Sequence, residues 1–403
     1  MKNSRVDIAI AGGGLAGGLI ALALRRARPE LNVVLVEAED VLGGNHRWSW
    51  FEGDLDAAGT ALLASFRKTE WTGYDIRFPA YERTLGARYL SLASPDFDAA
   101  LRRELAQDCI MPSSPIASMD ADGIDLKDGS RISARAVIDC RGFVPDHSLR
   151  GGWQVFMGRH LRTATPHGVE RPVIMDASVE QHGAYRFVYV LPLSAHELFV
   201  EDTYYADEPV LDRSALSRRI DAYCAKHGWD GDILGGETGV LPVITGGNFS
   251  AFQAASRIPG VAQAGARSAM VHPLTSYTLP HAVQTAQLVA DNADLPGDQL
   301  AALLEAQARR VWKQTGFYRM LGQMLFGAAK PDKRYRIFEH FYRLREPLVE
   351  RFYAARSTRR DKLRILIGRP PVPIPRAIRA IFSSRAPLVA PNHKPDSMKA
   401  PKS

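Results

Sequence analysis

Val6-Asp7-Ile8-Ala9-Ile10-Ala11, followed at once by Gly12-Gly13-Gly14-Leu15-Ala16-Gly17, is the stretch that decides the fold. The first six residues read as a buried strand. They run directly into G-x-G-x-x-G, which opens an Ala/Leu-rich helix to about residue 27, with Pro29 marking its end. Gly12 allows the tight turn, Gly14 lets backbone approach a pyrophosphate, and Gly17 lets helix pack on strand. The helix N-terminus favours phosphate charge. A second strand, Val33-Val34-Leu35-Val36, ends at Glu37, 20 residues after Gly17 and placed to accept hydrogen bonds from an adenosine ribose. Strand, helix, strand and terminal acid in register predict a dinucleotide site. The plain alternative is a glycine-rich helix start in another α/β protein.

Three further segments return to this unit. Gly43-Gly44-Asn45-His46-Arg47-Trp48-Ser49-Trp50 reads as a long loop, either a cover over the cofactor or a simple turn. Ala136 to Gly142 reads as a strand ending in Arg141-Gly142, well placed to rejoin the nucleotide unit or else an ordinary strand end. Gly265-Ala266-Arg267 begins a loop through His272-Pro273 to Tyr277, ahead of a helix over about 279–290. A glycine-led loop before a long helix suits a flavin, with the helix N-terminus facing the ring. His272 is an acid/base, a flavin contact or a structural histidine. One fingerprint followed by a long interrupted chain fits FAD better than the NAD of a simple dehydrogenase.

The expected architecture is α/β: a Rossmann-type FAD-binding flavoprotein with an interleaved antiparallel-sheet substrate domain and a C-terminal helical region. The nucleotide domain takes residues 1–70, 116–150 and 255–300, and the substrate sheet takes 71–115 and 151–254. A basic, aromatic helical region at 301–385 faces a membrane, and 386–403 is a disordered tail with four Pro.

Composition bounds the function. The chain of 403 residues has three cysteines, Cys109, Cys140 and Cys224, and no C-x-x-C. That fits a reduced cytoplasm and offers neither a disulfide relay nor a metal cluster, so a disulfide reductase is excluded. Lys2 and Arg5 before an apolar run to Leu24 imitate a secretory signal, but the glycine cluster and the strand–helix–strand pattern argue against one. No segment reaches the ~18 apolar residues of a membrane-spanning helix. The net charge of +7 is unevenly spread: residues 333–385 hold 15 Lys/Arg against 4 Asp/Glu, or +11; residues 386–403 add +2, leaving −6 for 1–332.

Aromatic residues share that basic region, with helical spacing at Phe338, Phe341 and Tyr342, then Arg345 and Val349. Such helices suit an anionic membrane surface, where each Lys or Arg is worth ~1 kcal/mol. Ile365-Leu366-Ile367 and the run from Ile374 to Phe382 are candidates to dip into lipid. A solvated helical cap over a core is the alternative, and no nucleic-acid-binding motif accompanies the charge.

Tyr185 to Tyr205 reads as two strands joined at Pro192-Leu193-Ser194-Ala195-His196-Glu197. Phe199, Glu201, Thr203 and Tyr205 share one face of the second strand, and Asp202 points the opposite way. A carboxyl on an aromatic face suggests an acid working on an apolar substrate; otherwise the strand simply ends and both acids reach water.

These residues together resemble the bacterial-type lycopene β-cyclases, a family of FAD-dependent carotenoid cyclases. The resemblance spans nearly the whole chain. It is most specific at Met175-Asp176-Ala177-Ser178-Val179, Tyr185-Arg186-Phe187 with Leu191-Pro192-Leu193, and Val200-Glu201-Asp202-Thr203-Tyr204-Tyr205. Two positions depart from the family pattern: Arg47 stands where the loop usually has Thr, and Ser276 where His-Pro-x-Thr-Gly-Tyr has Gly.

The resemblance implies conversion of the linear ends of lycopene, or a related acyclic carotene, to β-rings with no net redox change. It places the essential acid at Glu201, with Asp202 and His272 weaker candidates for the other proton step. It implies reduced FAD, NAD(P)H as its reductant, and a cytoplasmic protein at the inner face of the membrane. Protonating an alkene needs a carboxylic acid kept neutral in a dry site. Burial supplies ~3–5 pKa units, or ~4–7 kcal/mol at 1.36 per unit. A redox flavoenzyme, either a monooxygenase or a prenyl-chain reductase, and a non-catalytic carotenoid-binding protein are the competing classes. The oligomeric state is not legible.

Overall fold

A computed structural model describes residues 5–367 and 372–389. Val6–Ala11, Leu15–Ala27 and Val33–Val36 form the expected strand–helix–strand. Gly17 explains the close packing, because a Cβ there would lie 2.0 Å from the Gly12 carbonyl oxygen. Val6–Ala11 lies at the centre of a parallel sheet, paired with Val33–Val36 on one side and Arg131–Asp139 on the other. Ile110–Met111 and Val261–Gln263 extend the parallel part, while Gly123–Leu126 and Ile116–Asp120 add an antiparallel edge. The helices Leu15–Ala27 and Leu279–Asp291 pack together on one face, burying Leu19, Leu22, Val283 and Ala286.

The second sheet is large and almost wholly antiparallel, in the order Gly231–Gly247, Asp146–Thr163, Glu197–Ala206, Tyr185–Pro192, Val173–Asp176, Tyr74–Phe78, Tyr81–Leu85. Arg47–Phe51, Tyr89–Ala93 and Thr69–Trp71 make a small sheet between the two units. The domain division drawn from sequence shifts most clearly at residues 94–111. Residues 94–111 were expected on the substrate side, yet Phe97, Ala100 and Leu101 pack in the nucleotide core and Ile110–Met111 pairs with Val33–Val36. Within the span expected as a disordered tail, Pro387–Leu388 is instead a short strand paired with Asp146–Thr163. The remaining part of that span, from 390, lies outside the described residues, as does the start of the chain through residue 4.

Two faces of the large sheet have different partners. One packs Val188, Val190 and Val200 against Ile220 and Tyr223 of the helix Arg213–Lys226. The other carries Tyr185, Phe187, Phe199 and Tyr205, and the C-terminal helices cover part of it. Those helices differ from expectation. The spacing at 338–349 suggests one element, but the chain makes two, Tyr335–Phe341 and Glu346–Tyr353, the second entered through Pro347. Their aromatics point inward: Phe341, Tyr342, Phe352 and Tyr353 are buried, and Phe338 stacks on Tyr185 at 4.5 Å. Large rings gain more from packing on an aromatic sheet than from facing solvent.

Candidate active site

The site begins with strand register. Gly158 pairs with Glu201 on one side and with Glu237 on the other. Directly opposed residues of antiparallel strands project to the same face, so both carboxyls rise over a residue that has no side chain. The space above Gly158 is taken by the Phe199 ring; a Cβ there would lie 2.3 Å from its Cζ. Glu201 and Glu237 come within hydrogen-bonding reach of one another and are 9% and 6% exposed.

Each carboxyl has one fixed donor. The Thr203 hydroxyl donates to Glu201 Oε1 at 2.7 Å, and the Arg47 backbone N–H donates to Glu237 Oε2 at 2.7 Å. Burial pushes Glu201 up, opposed by the Thr203 hydroxyl. Burial also pushes Glu237 up, and the facing Glu201 raises it further. Two carboxyls sharing one dry wall do not both ionise readily, so they titrate as a pair.

Arg47 is the nearby cation. Its guanidinium lies over the Phe199 ring, 5.1 Å from the centroid, and donates to Ser91 Oγ at 3.2 Å. Desolvation lowers its pKa, but a guanidinium stays charged. Around these groups the wall is aromatic. Tyr189 stands opposite Glu201 in the sheet, and the Tyr89 and Tyr277 hydroxyls meet at 3.0 Å. All of them line one cleft of about 490 Å³.

The same cleft reaches the nucleotide unit. Gly14, Gly43, Gly142 and Gly265 line it at the C-terminal ends of the parallel strands, where ligands of open α/β sheets bind. The helix Leu15–Ala27 starts at Gly14 with no side-chain cap and no acid in its first turn. Its first N–H groups are therefore free to meet an anion. A Cβ built on Gly14 would meet nothing within 4 Å, so its backbone is open to the cleft. This glycine floor fits a dinucleotide such as FAD.

Other expected cofactor residues lie behind the floor. Glu37 accepts from the N–H groups of Gly13 at 2.7 Å, Ala38 at 2.7 Å and Glu39 at 3.0 Å, tying the second strand to the glycine turn. Gly12 makes that turn with a positive φ of 99°, and Gly44 adopts 61° in the following loop. Arg141 and Arg267 both hold the fully buried Asp139, at 2.9 and 3.0 Å. Pro273 sits outside the cleft, beside Phe249 and Trp312.

Two candidate catalytic residues leave the site. Asp202 is fully buried on the opposite face, in a two-pronged pair with Arg186 at 2.8–3.0 Å. Strand alternation puts it there, and the sheet separates it from the cleft. His272 has both ring nitrogens engaged: Nε2 meets the Phe352 carbonyl at 3.2 Å, and Nδ1 accepts from Leu274 at 3.3 Å and Thr275 at 3.2 Å. Burial lowers its pKa to about 3, so it is a neutral loop anchor.

Sequence reasoning missed Glu237. It stands in Gly235-Gly236-Glu237-Thr238-Gly239, a run that reads as a turn. The available signal was parity, because Glu237 alternates in step with Leu241 and Val243. Tyr89 and Tyr277 carried no signal beyond being aromatic.

The model of the family described as "Lycopene cyclase protein" matches residues 7–379. Lycopene β-cyclase of Pseudescherichia vulneris is 41% identical over 391 residues, 97% of this chain and 98% of the relative. That of Pantoea ananas is 39% identical, covering 94% and 98%, and that of a Paracoccus strain is 40% identical, covering 93% and 97%. Among solved structures, a probable FAD-dependent monooxygenase from Pseudomonas aeruginosa superposes with a TM-score of 0.58 at 15% identity, over 84% of this chain and 100% of the other. A geranylgeranyl bacteriochlorophyll reductase-like protein from Thermoplasma acidophilum gives 0.58 at 12% identity, over 93% and 98%. At such identities these two share the fold.

Proposed function

The chain belongs to the lycopene cyclase family, and from that premise we propose that Glu201 is the acid that starts cyclisation in the aromatic cleft. The activity is lycopene β-cyclase activity, an isomerisation of the linear carotene ends. The carrying observation is a buried carboxyl, raised by desolvation, on the wall of a cleft whose floor is the glycine turn of the nucleotide unit.

Glu201 gives its proton to the terminal alkene, and a tertiary cation forms. Tyr189, Phe199 and Tyr89 face that cation with their rings. The neighbouring alkene closes on it, and loss of a ring proton leaves the β-ring double bond. The dry wall keeps water from capturing the cation. FAD would be held by Gly14, Gly43, Gly142 and Gly265 together with the free N–H groups at the start of the helix Leu15–Ala27. Once reduced by NAD(P)H it would supply negative charge to the site, with no net redox change over the cycle.

The substrate is apolar, and a membrane is its source. Ile374, Ile378 and Phe382 lie exposed along one side of the helix Ile374–Phe382, Phe382 at 85%, with Leu363, Leu366 and Ile367 exposed nearby in sequence. Arg359, Arg360, Lys362, Arg364, Arg376 and Arg379 surround them in sequence. Apolar side chains ringed by cations suit the headgroup boundary of an anionic bilayer. Among the described residues no helix is long and apolar enough to cross a membrane.

The test compares the parent with Glu201→Gln in a carotenoid-free host that accumulates lycopene. The expected outcome is a ringed isomer of unchanged mass from the parent and at least a hundredfold less from the variant. A product heavier by oxygen or hydrogen would instead place the chain among the redox flavoenzymes.

A further inference from the structure

The cleft holds a second buried carboxyl that the mechanism above leaves unused. Glu237 faces Glu201 across Gly158, is equally withdrawn from solvent, and is held by the Arg47 backbone. We propose that Glu237 is the proton-holding partner of Glu201: the two carboxyls carry one proton between them and reload the acid within each cycle. This inference rests on Glu201 being the acid.

The charges close on that state. One shared proton leaves the pair at −1, and the Arg47 guanidinium beside them carries +1, so these three buried groups balance one another at rest. Neither carboxyl owns that proton: the Arg47 N–H on Glu237 and the Thr203 hydroxyl on Glu201, each at 2.7 Å, steady both arrangements of the shared hydrogen bond. The remaining neighbours keep that balance. Tyr89, Tyr189 and Tyr277 are pushed up by burial and stay neutral, and His46 is lowered by burial. Asp202 is turned to the other face and compensated by Arg186, and Asp96 lies beyond Arg47.

The proton accounting is complete without an outside reagent. The alkene π pair forms the new C–H bond with the Glu201 proton, and the O–H pair stays on Glu201. The carboxyls then stand at −2 beside a cation of +1, an attraction strengthened by the low local dielectric. The second alkene's π pair makes the ring bond. A ring C–H proton passes to one of the two carboxylates, and its bonding pair becomes the ring double bond. The pair again holds one proton, and exchange across the hydrogen bond returns it to Glu201. Nothing is oxidised or reduced.

The experiment uses the purified, FAD-loaded protein with lycopene in vesicles. It follows kcat against pH for the parent, Glu237→Gln, Glu237→Asp and Glu201→Gln, with infrared titration of the carboxylic C=O band. A facing carboxylate holds the Glu201 proton to higher pH, so its removal lets that proton leave earlier. In Glu237→Gln the alkaline limb should move down by about one to three pH units, with at least a tenfold loss near neutrality that recovers on acidification. Glu237→Asp, which keeps the charge, should retain the parent's limb. The parent should show one protonated buried carboxyl above neutral pH, missing in Glu201→Gln. An unmoved limb in Glu237→Gln, or a loss equal at every pH, overturns the proposal. So does a parent spectrum with both carboxyls ionised near neutrality, which needs no variant to fold. Full activity in Glu201→Gln overturns instead the reading beneath it.

Discussion

At the scale of single residues, neighbouring side chains differ in function because strand and loop geometry send them to different surroundings. Glu201 and Asp202 are adjacent, both acidic and both buried. One meets a second carboxyl in an aromatic cleft, while the other is locked to Arg186. His272 shows how burial alone decides a titration. Its folded pKa is lowered to about 3, against ~6.5 for an exposed imidazole. A group depressed in this way adds stability that is complete above ~6.5 and lost as pH falls toward the folded value. His272→Gln should therefore flatten the fall in stability between about pH 6.5 and 3, read by urea unfolding at several pH values. The pH profile of cyclisation near neutrality should keep its shape, because His272 stays neutral there. Ser276 marks a local conflict of another kind: it holds φ at +55°, a region that favours glycine, with its hydroxyl tied to the Pro242 carbonyl at 3.0 Å. A hydrogen bond of ~1 kcal/mol offsets a strain of similar size.

At the scale of elements, the central strand Asp146–Thr163 organises the chemistry without contributing an acid. Its Gly158 leaves room for two carboxyls and one phenylalanine on the same face. Gly158→Ala would drive a methyl into the Phe199 ring and disturb the seat of the Arg47 guanidinium. Overpacking of this sort costs ~1–3 kcal/mol. The expected outcome is a modest fall in melting temperature and a loss of cyclisation of tenfold or more, measured on FAD-loaded protein. The nucleotide half of the cleft was legible from one stretch because strand, turn and helix are local and their spacing is fixed by pyrophosphate geometry. The carboxyl pair was only half legible. Glu201 advertised itself on an aromatic strand, whereas Glu237 lies in a glycine-rich run whose pairing partner is about 80 residues away, between Gly158 and Glu237.

At the scale of the whole molecule, the C-terminal third does two jobs that its composition blended into one. Its aromatics pack on the large antiparallel sheet, and its exposed apolar side chains belong to the last helices. Replacing Ile378 and Phe382 together by Asp should abolish co-sedimentation with anionic vesicles, while FAD absorbance and melting temperature stay within the parent's range. Binding by the parent should weaken as salt rises, since the cationic part of the attraction is screened. The sequence by itself determined the nucleotide unit, the strand that carries Glu201, the face on which that acid lies and the family of the reaction, because each depends on short-range spacing and parity. Only the tertiary structure decided that Glu237 faces Glu201, that Asp202 pairs with Arg186 and His272 with its own loop and the Phe352 carbonyl, and that the C-terminal aromatics are core. Those outcomes depend on which strands pair and which faces meet, and the free energy of burial that selects them is a property of the assembled chain.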